Sequence, residues 1–174
     1  PIIDTRGILC FQLESLKDNS IFYGGAYLTK IDESSLPHVC IGIGICTYKR
    51  EHYVKRLLQT LSDSILNNPE SPLYNLLRIY VSDNGKTLPY DELNNEFVNV
   101  FPNKNVGGSG GFTRCMIEIL KDEEKYNITH ILLMDDDILI DPEAILRTYH
   151  FLRLIKENYS QAFISGAMLK TDKK

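Results

Sequence analysis

The chain has 174 residues, of which 43% are apolar, 24% charged and 10% aromatic. That composition suits a folded domain with its own core and excludes a disordered or collagen-like chain, and no window approaches the ~18 uninterrupted apolar residues of a membrane-spanning helix. The 19 basic and 23 acidic residues leave a formal charge of -4 with the basic ones scattered, which excludes the footprint of a nucleic-acid backbone binder.

In chain order, residues 8–16 and 21–28 read as two short extended segments split by the polar Lys17-Asp18-Asn19-Ser20, a hairpin or a pair of edge strands. Residues 31–37 form a polar connector ending in Pro37, so a second unit is expected from His38. Residues 39–46 are continuously apolar or small, the pattern of a strand buried on both faces, and a polar turn follows at 47–50. Val54, Leu57, Leu58, Leu61 and Ile65 then fall on one helical stripe. Residues 77–81 predict a second strand, ending in the turn Ser82-Asp83-Asn84-Gly85. A short third strand at 99–101 precedes a glycine-rich loop at 105–111, after which Phe112, Cys115, Met116, Ile119 and Leu120 repeat at helical spacing. Residues 130–134 predict a buried strand that runs into Asp135-Asp136-Asp137. Asp141 and Pro142 then open a helix over 144–158, and 162–169 predict a last strand.

Strands alternating with helices predict an α/β fold with an open, mostly parallel sheet covered on both sides, whose ligands bind at the carboxyl ends of the strands. Cys10, Cys40, Cys46 and Cys115 form no C-x-x-C pair and read as reduced, structural thiols. The start of the chain lacks the basic and apolar regions of a secretion signal, which predicts a cytoplasmic location.

Three adjacent carboxylates repel one another unless a cation sits among them. Along a strand-like turn Asp135 and Asp137 point one way and Asp136 the other, so the outer pair can share a hard divalent ion, Mg²⁺ or Mn²⁺; the plain alternative is a solvated acidic turn. The glycines at 107, 108, 110 and 111 lie just before a helix, where backbone N–H groups can approach a diphosphate; the alternative is a mobile surface loop. Neither Walker A nor G-x-G-x-x-G spacing is present, which disfavours P-loop and dinucleotide enzymes. Arg114 could meet a phosphate or simply solvent, Asp83 could bond a base or ribose or only close its own turn, and Lys49 and Arg50 could offset a nucleotide's charge. The histidines show no metal-ligand spacing.

Taken together and in order, Cys46-Thr47-Tyr48-Lys49-Arg50, the segment 81–85 (Val-Ser-Asp-Asn-Gly), the segment 105–111 (Asn-Val-Gly-Gly-Ser-Gly-Gly) and the segment 133–138 (Leu-Met-Asp-Asp-Asp-Ile) resemble family 2 glycosyltransferases. The pairing of the glycine run with three aspartates is most similar to bacterial UDP-galactofuranosyltransferases of galactan synthesis. The similarity covers about 38–169, and residues 1–37 resemble the end of the β-sandwich domain that precedes the catalytic domain there. The resemblance implies a GT-A fold, with 38–174 as the donor-binding half. It also implies a UDP-sugar donor, a glycan or lipid-linked glycan acceptor, a divalent cation and inversion at the anomeric carbon. Thr47 and Arg50 would line the uridine pocket, with Asp83 on the uracil. Asn105, Gly107, Gly108, Ser109 and Gly110 would lie beside the diphosphate-sugar, with Asp135 on the ribose or metal side, Asp136 placing the sugar and Asp137 holding the metal. In such enzymes the catalytic base and most of the acceptor site follow the last strand, so they are expected beyond residue 174, and the fragment alone is expected to be inactive. A full-length protein of this kind would work at the cytoplasmic face of the membrane.

Two other readings compete. A nucleotidyltransferase also gathers carboxylates and glycines around a nucleotide and metal, but usually places its glycine loop after the first strand, where this chain has Thr47-Tyr48-Lys49-Arg50. A non-catalytic α/β binding module would use the aspartates only to cap a helix.

Overall fold

Runs of β-branched and aliphatic residues that alternate with amphipathic segments fold here as parallel strands joined by helices. The structure, a computed structural model, describes residues 12–26, 28 and 30–169, and the chain divides into the units Pro1–Glu33 and Ser34–Lys174. In the first unit the described residues form no strand. Leu16, Tyr23 and Leu28 are 88–92% exposed there, without the partner edge that turns an extended segment into a sheet. Residues 8–11 of the expected hairpin, with Cys10, lie outside the described residues.

The second unit carries strands β1 (Ile41–Thr47), β2 (Leu77–Asp83), β3 (Val98–Pro102) and β4 (His130–Asp135), with helices α1 (Glu51–Leu61), α2 (Tyr90–Leu93), α3 (Gly107–Lys121), α4 (Glu123–Tyr126) and α5 (Pro142–Leu154). The sheet order is β3-β2-β1-β4 and every pairing is parallel, with Ile41 opposite both Leu77 and His130, and Ile79 opposite Val98. β1 is buried almost throughout, as its unbroken apolar run predicts, and β2 is buried along its whole length, Arg78 included.

The two faces of the sheet carry different layers. Ile41, Ile43, Ile45, Leu77, Ile79 and Val81 join Val54, Leu57, Leu58 and Leu61 of α1 and Ile145, Tyr149 and Leu152 of α5 in the larger core. The other face packs against α3 through Tyr80, Cys115 and Ile119. Helix α3 lies close on the sheet because β1 offers glycine beneath it: a Cβ at Gly44 would stand 2.9 Å from Cys115 Cβ. β4 is an edge strand, with Met134 buried and Ile131 and Leu133 39% and 45% exposed. Among the described residues no helix is long and apolar enough to cross a membrane.

Three elements depart from the sequence reading. Helix α3 begins at Gly107, so the glycines form its first turn rather than a preceding loop. Helix α5 ends at Leu154, followed by a single 3₁₀ turn at Glu157–Tyr159. Residues 162–169 form no strand; Phe163, Met168 and Leu169 are 75–103% exposed, since apolar character makes a strand only where ladder partners are present.

Strand order fixes the place of the site. The chain builds outward from β1 to β2 and β3, then crosses to β4 on β1's other side. That reversal opens a crevice at the carboxyl ends of β1 and β4, where ligands of open α/β sheets bind.

Candidate functional site

Thr47 and Asp136 meet at that crevice. Thr47 is 2% and Asp136 5% exposed, and Thr47 Oγ1 donates to Asp136 Oδ2 at 2.7 Å. Arg50, at the entry to α1, donates through Nη1 to Asp136 Oδ1 at 3.1 Å and to Asp137 Oδ2 at 2.6 Å. These carboxylates, Asp136 foremost, hold the Arg50 guanidinium still more firmly in its charged form. Alternation along the β4 exit turns Asp136 inward and leaves Asp135 and Asp137 exposed. In this structure the polar atoms of Thr47 and Asp136 are bonded to each other and, through Asp136, to Arg50.

Asp83 is bonded within its own loop. It is fully buried; Oδ1 accepts from the N–H groups of Gly85 and Lys86, and Oδ2 from those of Thr87 and Leu88 and from the Tyr90 hydroxyl at 3.0 Å. A carboxylate offers about four lone-pair sites, and in this structure the loop's own donors take them, so Asp83 fixes the shape of 84–90. Burial, then the bond to Asp83, pushes the Tyr90 hydroxyl up to about 12.

The loops after β1, β2 and β3 are stitched together by residues the sequence did not single out. Asn84 Nδ2 donates to Gly107 O at 3.2 Å and to Cys46 Sγ at 3.4 Å, while Asn84 Oδ1 accepts from Asn103 Nδ2 at 2.9 Å. Asn84 had a signal, its place beside Asp83, but the sequence offers only an Asx turn there; Asn103 had none. The Cys46 thiol is pushed up by burial and then by Asp136 and Asp135, so it stays protonated and is no nucleophile. Cys40, Cys46 and Cys115 form no disulfide, in keeping with reduced thiols.

Gly107 opens α3 at φ 77°, and the N-cap residue, Val106, makes no side-chain cap. Gly108 and Ser109 are exposed and Gly110 half-buried, so the first-turn N–H groups of this 15-residue helix face outward with the positive end of its dipole. Asn105 Oδ1 accepts from the Gly107 N–H at 3.2 Å. Gly111 is where α3 touches β1: a Cβ there would collide with Cys46 Sγ. Arg114 is paired through Nε with Glu118 at 2.8 Å.

Among the described residues no group of three or more His, Cys, Asp or Glu side chains is arranged to hold a metal by itself. Asp135 and Asp137 nevertheless fit one mode of binding. Mg²⁺-like ions are commonly held by one or two carboxylates, with waters and substrate phosphates completing the shell, and both residues are exposed, Asp135 beside Cys46, against which α3 packs, and Asp137 beside Arg50.

The parallel sheet, its reversal at β1 and β4, and the carboxylates at that point define an α/β protein of GT-A-like fold. The sequence model of glycosyl transferase family 2 matches residues 42–167, and the chain belongs to that family. It is 31% identical over 138 residues to "Galactofuranosyltransferase GlfT2" of Mycolicibacterium smegmatis, a match covering 74% of this chain and 20% of the relative. It is 42% identical over 65 residues to "Galactofuranosyltransferase GlfT2" of Mycobacterium tuberculosis, covering 37% of this chain and 9% of the relative. The chain thus spans a fifth or less of the length of these curated relatives.

Proposed function

We propose that the chain binds the nucleotide-sugar donor, UDP-galactofuranose, of an inverting, metal-dependent transfer to a cell-surface glycan or its lipid-linked precursor, carried out at the cytoplasmic face of the membrane. Family membership and the relatives' printed activity support a role in glycosyl transfer. The single observation that carries the donor reading is the juxtaposition of exposed Asp135, with Asp137 two residues on, and the start of α3 across Cys46, which is paired in register with Asp135 and touches Gly111.

Asp135 and Asp137 would hold the divalent ion, Mn²⁺ or Mg²⁺. When bound, such an ion neutralises charge on the departing diphosphate. The α3 N–H groups, with Asn105 and Ser109 at their edge, would receive phosphate oxygens. Arg50 must loosen from Asp137 for that carboxylate to turn to a cation, and its guanidinium then becomes available to the donor's negative charge. Asp136 and Thr47 keep their mutual bond and hold the turn in place, while Asp83 keeps loop 84–90 open for the uridine.

Calorimetric titration of UDP and UDP-galactofuranose into the chain, with Mn²⁺ and with chelator, tests this. Binding that needs the metal and disappears in Asp137→Ala is the expected result. Equal binding with chelator, or no binding to a chain shown to be folded by circular dichroism, would sink the metal-assisted donor reading in favour of a non-catalytic module.

A further inference from the structure

The structure assigns a second ligand site at the amino ends of the strands, the opposite end of the sheet from the crevice: we propose that a pocket of about 330 Å³ around Arg78 binds a small oxyanion, a carboxylate or a phosphate group. Arg78 enters β2 only 7% exposed. Its Nη1 donates to Asn75 O at 3.1 Å and Leu77 O at 2.9 Å, whereas its Nε is buried with no acceptor. Among the described residues it has no ion pair: of the two carboxylates that line the pocket, Asp122 accepts from the Tyr80 hydroxyl at 2.9 Å and Glu96 is exposed at the rim.

A buried guanidinium without a counter-ion is costly, and proteins seldom leave one so. The two carbonyl bonds satisfy only Nη1, and the edge left over, Nε with Nη2, is the fork that grips a carboxylate or phosphate through two parallel N–H bonds. The fork is held in place before any ligand arrives, because the guanidinium carbon lies 5.0 Å from the Phe97 ring centre and 4.4 Å from that of Tyr126. Lys125 also lines the pocket and supplies a second cation from its exposed rim. Asn95 and Glu96 complete that rim and are exposed too; Nε is closed to solvent in this structure, and the rim side chains must shift for a ligand oxygen to reach it. This site shares no residue with the donor crevice.

The experiment is a titration of the ¹⁵N-labelled chain with sodium phosphate and, separately, sodium acetate at constant ionic strength, with chloride as control. The readout is the Arg78 Nε–H resonance, assigned by its loss in Arg78→Lys. A saturable shift with phosphate alone identifies a phosphate site, with acetate alone a carboxylate site, and with both a general oxyanion site. Lys125→Ala, which is exposed and leaves the fold intact, is expected to raise the half-saturation concentration about threefold or more. No saturable shift with either anion, an equal shift with chloride, or cross-relaxation from Nε–H to a long-lived water undisturbed by either salt overturns the proposal.

Discussion

Asp136 and Asp137 are adjacent, yet one is bound inside the protein and the other faces solvent, so their substitutions should separate. Asp136→Ala removes the acceptor of a buried Thr47 hydroxyl and should cost about 1–3 kcal/mol in urea unfolding. Asp137→Ala should stay within about 0.5 kcal/mol of the parent while losing metal binding, read by Mn²⁺ electron paramagnetic resonance. Equal destabilisation by the two would refute the division of labour. Asp83 makes a sharper case, because five donors converge on one buried carboxylate. Asp83→Asn turns an amide toward N–H groups and should cost about 3 kcal/mol. The Tyr90 hydroxyl adds a pH signature. Its value is raised from 10.0 to about 12, so the folded state holds this proton more tightly than the unfolded one. Its contribution is complete below pH 10, declines as pH rises through about 12, and should be missing from the alkaline unfolding profile of Tyr90→Phe.

At the scale of the element, the first turn of α3 carries neighbouring glycines with opposite requirements. Gly111→Ala drives a Cβ into Cys46 Sγ, and since β1 cannot yield there it should destabilise by about 1–3 kcal/mol. Gly108→Ala meets nothing within 4 Å and should stabilise by up to about 1 kcal/mol through helix propensity. Thermal unfolding of the pair checks both signs; a neutral Gly111→Ala would mean that α3 does not seat on Cys46. The same helix shows what sequence could and could not reveal. The stripe through Cys115 and Ile119 announced a helix, and the unbroken run of β1 announced a strand buried on both faces, because apolar patterning reports directly on burial. The start of α3 was hidden, since four glycines look like a loop until the sheet beneath is known to demand a residue without a side chain. Asp83 and Asp136 were recognisable as important residues, but whether a carboxylate faces a ligand or the backbone depends on loop closure, which no spacing encodes. Asn84 and Asn103 bridge loops that only the folded sheet brings together.

Across the whole molecule, order should follow the ladder. β1 and β2 each pair on both sides and carry the larger core. Their amides should therefore exchange only through global unfolding, whereas β3 and β4, each paired on one side, should open at lower free energy. Segment 162–169 has no strand pairing and exposes Phe163, Met168 and Leu169, so its amides should exchange at rates close to those of an unfolded peptide. Chymotrypsin, which favours such aromatic and aliphatic sites, should cut there, and at the equally exposed Leu16, Tyr23 and Leu28, before it enters the strands. A brief digest read by mass spectrometry should leave a product that ends before or within 162–169 and retains all four strands, with the urea midpoint of that product unchanged. The midpoint is the decisive number: a clear fall on losing this segment would show that it packs on the exposed Ile131 and Leu133 face of β4 in solution, extending the sheet layer at its open edge. An unchanged midpoint would show that the four-stranded sheet and its two helical layers carry the stability of this unit by themselves.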